Sequence, residues 1–546
     1  MTNKLRSNPW AVLVFLCLGF FMVLLDVTIV NIAIPSMIDS LKAGLDQVIW
    51  VLNAYTLTYA VLLITAGRLG DRFGQRNLFT IGLALFVLAS AACGLSQDPN
   101  QLIAARIVQA VGGALLTPQT LAILTSIFPP ERRGAAFGVW GGIAGLATIA
   151  GPTVGGLLVT YLDWRWIFFV NVPIGIVALA GSLLVIPDLR PGRAAGVEPV
   201  GVLLASGGLF GVTFGLIEGE RYDWGTVSGF VTIPLVIAAG VLLLVLFFLW
   251  DHTRPSPMVP LSLFRERNFS LMNWVGAVIS FGMIGLFLPL TIYFQSALGF
   301  SAIKAGLTLL PMSLVSFPLA PIAGRLADRI GGKWILFTGV SLFALGMAII
   351  DWRASIDSTW LTFLPGALVA GAGLGLTFAP MATVAMRNIK PQVAGAASGL
   401  LNTTRQLGGA IGSAVVGAVL QNRLSVALHD QAVRFSTQLP PQLPAQARQR
   451  FIEAFSNAGQ GGLEVGRSSS SSFANLPGMP LPVAQEIARI AHEVFAYAFI
   501  DAMRPTLAVP ILALALGALS CLAIKRRARE SREAPAREAE TAAPAA

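Results

Sequence analysis

The sequence predicts an all-α polytopic membrane protein: two six-helix bundles with two further helices inserted between them, about fourteen spans in all. Three observations carry this prediction. Hydrophobic residues make up 55% of the 546-residue chain and charged residues only 12%, with a mean hydropathy of +0.73. A water-soluble chain of this size could not bury so much apolar surface. The apolar residues are gathered into segments long enough to cross a bilayer, separated by short charged gaps. One such gap occurs twice, as Gly67-Arg68-Leu69-Gly70-Asp71-Arg72-Phe73-Gly74-Gln75-Arg76 and as Gly324-Arg325-Leu326-Ala327-Asp328-Arg329-Ile330-Gly331-Gly332-Lys333. A charged loop repeated in the same setting marks a duplicated bundle, and two bundles around a central site form a rocking machine.

A span needs about 20 apolar residues. By that measure the spans fall near 10–35, 48–66, 77–96, 102–125, 135–160, 166–186, 200–218, 228–250, 270–295, 302–323, 334–351, 360–384, 395–420 and 498–523. The first follows Lys4 and Arg6, contains Asp26 and has no small-residue cleavage site behind a short core, so it reads as a retained helix. Gly134-Ala135-Ala136-Phe137-Gly138 opens the fifth span and Gly395-Ala396-Ala397-Ser398-Gly399 the thirteenth. Their offset agrees with that of the charged loops to within four residues. Spans one to six therefore match spans nine to fourteen, and spans seven and eight have no counterpart. The expected organisation is an N-terminal bundle over 1–190, two inserted helices with linkers over 191–264, and a C-terminal bundle over 265–546 with a tail over 524–546.

Basic residues set the orientation. Arg68, Arg72, Arg76, Arg132, Arg133, Arg325, Arg329, Lys333, Arg387 and Lys390 fall in one set of gaps, together with the terminal Lys4, Arg6 and the tail from Lys525. The opposite short gaps carry only Lys42, Arg165, Arg221, Lys304 and Arg353. The excess of positive charge places both termini in the cytoplasm of a cell (inner, cytoplasmic) membrane, as an even span count requires. The net charge of +10 is thus spent on orientation, and no basic patch points to nucleic acid. Residues 421–497 form a long external stretch with Pro440-Pro441, Pro444 and the serine run Ser468–Ser472. Ala445 to Ala458 and Pro482 to Ala498 are expected as amphipathic helices on the membrane surface, and the serine run as a linker.

Enzyme and metal chemistry have little to stand on. Cys17, Cys93 and Cys521 lie within or beside apolar spans, and His252, His429 and His492 share no ligand spacing. No ATP-binding loop is present, so no metal, cofactor or catalytic residue is expected.

The intramembrane polar residues are where function is expected. Asp26 lies 16 residues after Trp10, about 24 Å along a helix that starts inside. A carboxylate at that depth is held out of water and can take up and release a proton near neutral pH. Arg106 enters span four from the opposite side and reaches a similar depth, where its charge can modulate Asp26. Gly145, Gly151, Gly155 and Gly156 set small residues along span five, and Pro152 interrupts its hydrogen bonding; the helix should pack closely and bend. Asn402, Arg405 and Gln406 lie at i, i+3 and i+4 and share one helical face at mid-membrane depth, where they must face a cavity or a partner. Asp501 and Arg504 are expected to form a local ion pair, and Glu218 and Glu220 to be external charges. Trp140, Phe281, Phe287, Tyr293 and Phe378 could line an apolar pocket suited to lipophilic cations.

Five phrases together resemble the major facilitator superfamily, and in detail its fourteen-helix drug/proton antiporters. They are Leu25-Asp26-Val27-Thr28-Ile29-Val30-Asn31-Ile32-Ala33-Ile34-Pro35, the repeated loop, Arg106 with Gln109, Gly112 and Gly113, Gly145 with Gly151-Pro152-Thr153-Val154-Gly155-Gly156, and Asp163-Trp164-Arg165-Trp166 running to Asn171-Val172-Pro173. The family pattern often has glycine where this chain has Ala110, a difference of one methyl group. The resemblance implies a major facilitator fold and secondary transport driven by the proton gradient, without a cofactor. It implies that Gly67, Asp71, Arg72 and Arg76 latch the bundles on the cytoplasmic side, with Asp328 and Arg329 as a weaker second latch. It also implies that the span-five glycines mark an exporter. Asp26 and Arg106 are then expected to couple protons, and Asn31, Gln109, Asn402, Arg405 and Gln406 to face the substrate. The function expected is export of drugs or antibiotics, lipophilic and cationic, in exchange for protons by a single chain. A dedicated metabolite or siderophore exporter and a non-transporting sensor or scaffold remain as alternatives.

Overall fold

The computed structural model describes residues 8–188, 198–219, 221–255, 257–440, 445–460 and 481–525. Thirteen helices among them are long and apolar enough to cross a membrane, and the 29-residue helix Arg133–Tyr161 occupies the place of the remaining expected span. In chain order the membrane helices are α1 (Pro9–Ile29), α2 (Leu45–Phe73), α3 (Gln75–Leu95), α4 (Pro99–Ile127), α5 (Arg133–Tyr161), α6 (Asn171–Val185), α7 (Pro199–Glu218), α8 (Ile233–His252), α9 (Arg267–Ile292), α10 (Ala302–Ile330), α11 (Lys333–Arg353), α12 (Trp360–Gly375, continued by Phe378–Met386), α13 (Ala394–Ser436) and α14 (Leu481–Cys521).

Local chemistry explains the ends. Asn8 accepts a hydrogen bond from the Trp10 amide at 3.0 Å and Pro9 stands at the first helical position, so α1 starts there. Asp98 caps α4 by accepting from the amides of Asn100 (2.9 Å) and Gln101 (3.0 Å). Both repeated loops turn on a glycine with positive φ, Gly74 at 95° and Gly331 at 85°, a conformation that a side chain would disfavour. The repeat in sequence is therefore a repeat in backbone geometry.

The boundaries differ from expectation in four places. The eighth span begins at Ile233, because Thr226–Ser228 and Val231–Thr232 pair as an antiparallel hairpin. The twelfth breaks at Leu376–Thr377, where Pro380 lacks the amide that would bond the Leu376 carbonyl. The fifth remains helical through Pro152. The largest difference is in 421–497: α13 runs for 43 residues and α14 for 41, about 60 Å each against a hydrocarbon core of about 30 Å. Both project well beyond the bilayer.

The helix Ala445–Gln460 packs on the projecting part of α13, burying Phe451 and Phe455 near Leu424, Leu428 and Phe435. His429 Nδ1 and Ser456 Oγ lie 2.8 Å apart. The expected membrane-surface helices are thus corrected. Ala445–Gln460 turns its apolar stripe to another helix, and Pro482 to Ala498 is the start of α14, with Ile490 and Val494 buried. A protein neighbour removes the same apolar stripe from water that lipid would. The serine run, Glu220 and the tail beyond Lys525 lie outside the described residues.

The bundles meet along two equivalent seams. α2 packs along α13, and α10 along α5. The inserted α7 and α8 pack on each other, and α7 also leans on α2 and α13.

Candidate functional site

Asp26 is fully buried in α1. Its Oδ2 is ion-paired with Arg106 of α4, and its Oδ1 accepts from Gln109 Nε2 at 2.9 Å. Arg106 also donates to Gln109 Oε1 at 2.7 Å and, through Nε, to the Val51 carbonyl of α2 at 3.2 Å. Its guanidinium lies 4.1 Å from the ring centroid of Tyr55. α1 and α4 enter from opposite faces and place Asp26 and Arg106 at one depth, so the modulating charge expected of Arg106 is a direct contact. Gln109 belongs to this closed cluster, because i+3 on α4 sets it beside Arg106. Asn171, on α6, lies within electrostatic reach of Asp26 and donates to Ser90 Oγ at 3.1 Å.

On the face of the repeated loops the two aspartates do the same thing in each half. Asp71, 1% exposed, accepts from the amides of Gly395 and Ala396, both at 2.9 Å. Asp328 accepts from Gly134 at 2.9 Å and Ala135 at 3.2 Å. Each carboxylate therefore caps the first turn of a helix in the opposite bundle, where free amides and the helix dipole favour negative charge. Gly67 lies so close to Gly395 that a Cβ on either would overlap the other's carbonyl oxygen, and Gly324 stands in the same relation to Gly134. The structure is held shut on this face.

Arg72, Arg76 and Arg329 are placed elsewhere. Arg72 is exposed with its guanidinium 5.0 Å from the Phe73 ring centroid, Arg76 donates to the Leu183 carbonyl of α6 at 2.6 Å, and Arg329 is exposed and forms no ion pair among the described residues. The residue that sequence reasoning passed over is Arg68, which is buried and within electrostatic reach of both Asp71 and Asp251 of α8. Its position one turn before Asp71 was the available signal.

The glycines of α5 face two partners. A Cβ on Gly151 or Gly155 would strike Thr28 or Ile29 of α1, while Gly145 and Gly156 approach Ser316 and Ile303 of α10. α5 thus packs against its own bundle on one face and against the other bundle on a second; the side chain of Pro152 lies outside the described residues. Asn31 is exposed and donates to the Val27 carbonyl at 3.1 Å, within a 3₁₀ turn that ends α1.

In α13, Asn402 is buried and donates to the Ser398 carbonyl at 2.9 Å, and Gln406 is half-buried. Arg405 lies 5.0 Å from the Phe378 ring centroid, its stem against Gly276, in electrostatic reach of Tyr59. Tyr59 stacks on Tyr55 with centroids 6.0 Å apart and donates to Thr117 Oγ1 at 3.1 Å. A row of rings thus runs between Arg106 in one half and Arg405 in the other. Of the other aromatic candidates, Trp140 is buried against Phe20 and Tyr293 is buried among Phe294, Phe363 and Phe499, so packing accounts for both.

Two acids are placed differently from expectation. Glu218, at the end of α7, is 1% exposed and accepts from Asn53 Nδ2 of α2 at 2.7 Å and from Arg221 at 3.3 Å. It is an internal tie, because α7 turns that end onto α2. Asp501 accepts from Gln431 Nε2 at 2.7 Å in place of the expected pair with Arg504, which lies within electrostatic reach of Asp351. The extended α13 brings Gln431 to it.

Comparison with known proteins agrees with this architecture. The sequence pattern of the Major Facilitator Superfamily matches residues 16–413. An uncharacterized MFS-type transporter of Mycobacterium tuberculosis is 40% identical over 460 residues, covering 83% of this chain and 78% of that one. The tetracenomycin C resistance and export protein of Streptomyces glaucescens is 36% identical over 437 residues, covering 79% of each. Among solved structures, the proton:xylose symporter XylE superposes with a TM-score of 0.54 at 14% identity, covering 83% of this chain and 94% of that one, a likeness of fold.

Proposed function

Because the chain belongs to the major facilitator superfamily and is a multi-pass membrane transporter, we propose that it exports drugs or antibiotics across the cytoplasmic membrane in exchange for protons. The observation that carries this reading is the Asp26–Arg106–Gln109 cluster, a carboxylate buried at mid-membrane depth with a single cationic partner. The relative named for tetracenomycin C resistance and export supports the cargo class and the direction.

The cycle follows from charge. With Asp26 ionised the cluster is neutral and α1 is tied to α4. A proton arriving from outside removes the charge on Asp26 and the main attraction holding Arg106, which keeps its bonds to Val51 and Gln109. The tie between α1 and α4 loosens while α5, packed on α1 and on α10, carries the change to the other bundle. Opening on the loop face requires Asp71 and Asp328 to release their amides together, and loss of the proton inside restores the pair. Both termini lie in the cytoplasm in this reading, and one chain, carrying both bundles, is the working unit.

Substrate charge is less constrained than the motifs suggest. Among the described residues no carboxylate without a partner faces the centre to attract a cation, since Asp26 is held by Arg106.

The test is transport by purified protein in liposomes under an imposed proton gradient. Internal pH is followed as candidate drugs are added, with Asp26→Asn alongside. Drug-dependent proton movement by the unmodified protein alone supports the reading; equal movement by Asp26→Asn removes Asp26 from the mechanism.

A further inference from the structure

Among the described residues, the half-buried Arg405 has no counter-charge. It lies 11 residues into α13 from Ala394, about 17 Å along the helix and so near the middle of the hydrocarbon core. The side chain is half-buried, with its guanidinium against the Phe378 ring and its stem against Gly276. Among the described residues it forms no ion pair, and its Nε has no hydrogen-bond partner. The ionisable group that acts on it is Tyr59, a phenol.

The buried carboxylates of α1 and of the seam are already committed. Asp26 is tied to Arg106 and Gln109, and Asp71 to the amides at the start of α13. Asp26 and Arg106 cancel, so Arg405 leaves the centre with one positive charge in excess. An uncompensated charge at this depth is costly, and such groups persist where they serve a pathway. A guanidinium is also suited to grip a carboxylate or a similar planar anion through two parallel hydrogen bonds.

We propose that Arg405 anchors the acidic group of an amphiphilic, aromatic anion carried by the protein, with the ring system of that cargo lying against Phe378 and the Tyr55–Tyr59 stack. The proposal rests on the exporter reading and replaces the lipophilic cation with a lipophilic acid as the favoured cargo. The surroundings suit it. Gly276 makes room for the Arg405 stem, a Cβ there meeting Cγ at 3.2 Å. Tyr59 belongs to the opposite bundle, so an anion held at Arg405 sits between the two halves that rock.

Fluorescein, an aromatic acid, and rhodamine 6G, a cation of the same ring family, form a matched pair of probes. Binding is read by fluorescence anisotropy on the detergent-purified full chain, with Arg405→Met and Arg405→Lys alongside. The expected result is tighter binding of fluorescein than of rhodamine 6G by the unmodified protein, at least a tenfold loss for Arg405→Met, and partial retention for Arg405→Lys. Arg405→Met without ligand should also melt higher than the unmodified protein, because it removes an uncompensated charge from the interior of the bundle; an arginine serving only as structure would give the opposite shift.

No binding of fluorescein, unchanged affinity in Arg405→Met, or a lower melting temperature for that variant overturns the proposal. Proton movement in liposomes separates the two readings. Coupling to rhodamine 6G and not to fluorescein sinks the anion site and leaves the exporter standing. Arg405-dependent fluorescein binding without any proton movement sinks proton coupling and leaves the anion site standing.

Discussion

Asp71 and Gly395 lie 324 residues apart in sequence, yet the carboxylate of one accepts the amide of the other at 2.9 Å. The same relation joins Asp328 to Gly134, also at 2.9 Å. The two halves of the molecule therefore hold each other shut through carboxylates on helix N-termini, with Arg68 within electrostatic reach of Asp71.

Neutralising a cap should loosen the closed state. A charged cap contributes on the order of 1–2 kcal/mol, so Asp71→Asn should shift the closed-to-open ratio roughly tenfold. Asp328→Asn should shift it less, since Asp328 is half-buried and its second bond is longer, at 3.2 Å. Distances between spin labels on the loop ends of α2 and α13 report this, and an unchanged distribution for Asp71→Asn would count against the latch.

Backbone contact at the seams should be intolerant of even one methyl group. A Cβ on Gly67 would overlap the Gly395 carbonyl, whereas one on Gly44 would meet nothing within 4 Å. Overpacking typically costs about 1–3 kcal/mol. Gly67→Ala should therefore unfold at a clearly lower temperature than Gly44→Ala, and equal melting of the two variants would refute the contact.

The Asp26–Arg106 pair should show strong coupling. Removing one charge of a buried pair costs about 3–5 kcal/mol because the other is left uncompensated. Asp26→Asn should lower the unfolding temperature, and adding Arg106→Gln should recover much of the loss without restoring proton-coupled transport. Additive losses in a double-mutant cycle would show that the two residues act separately.

The projecting helices should behave as a small water-soluble core. Phe455 is 1% exposed and Phe451 3%. Phe455→Asp buries a carboxylate without a partner and should release the Ala445–Gln460 helix to trypsin, which has Arg448 and Arg450 to cut. The membrane bundles should resist as before. Unchanged digestion would place that helix elsewhere, for example on lipid.

Much of this was legible beforehand for identifiable reasons. The spans were readable because lipid demands long apolar runs, and the duplication because the Gly74 and Gly331 turns need the same residues twice. Asp26 and Arg106 stood out because charge inside a span is rare. Their depths could be estimated from helical rise alone, and the direct ion pair agrees with that estimate. Glu218 was misread because a residue at a span end is external or buried according to which neighbour the helix leans on. Arg72 is exposed and Arg76 turns back to α6, because sequence proximity to Asp71 says nothing about whether a side chain points across the seam or back into its own bundle.

The sequence by itself determined the number of spans, the twofold repeat and the intramembrane charges, since these follow from hydropathy, glycine-dependent turns and helical rise, all local properties. Only the tertiary structure decided which partners those charges have: Asp26 on Arg106, Asp71 on the amides of Gly395 and Ala396, and Arg405 without a counter-charge among the described residues. Partnership depends on how helices far apart in the chain rotate and slide against each other, and that is set by packing small residues at the seams, where one face of a helix is chosen over another by contacts the chain makes only once it is folded.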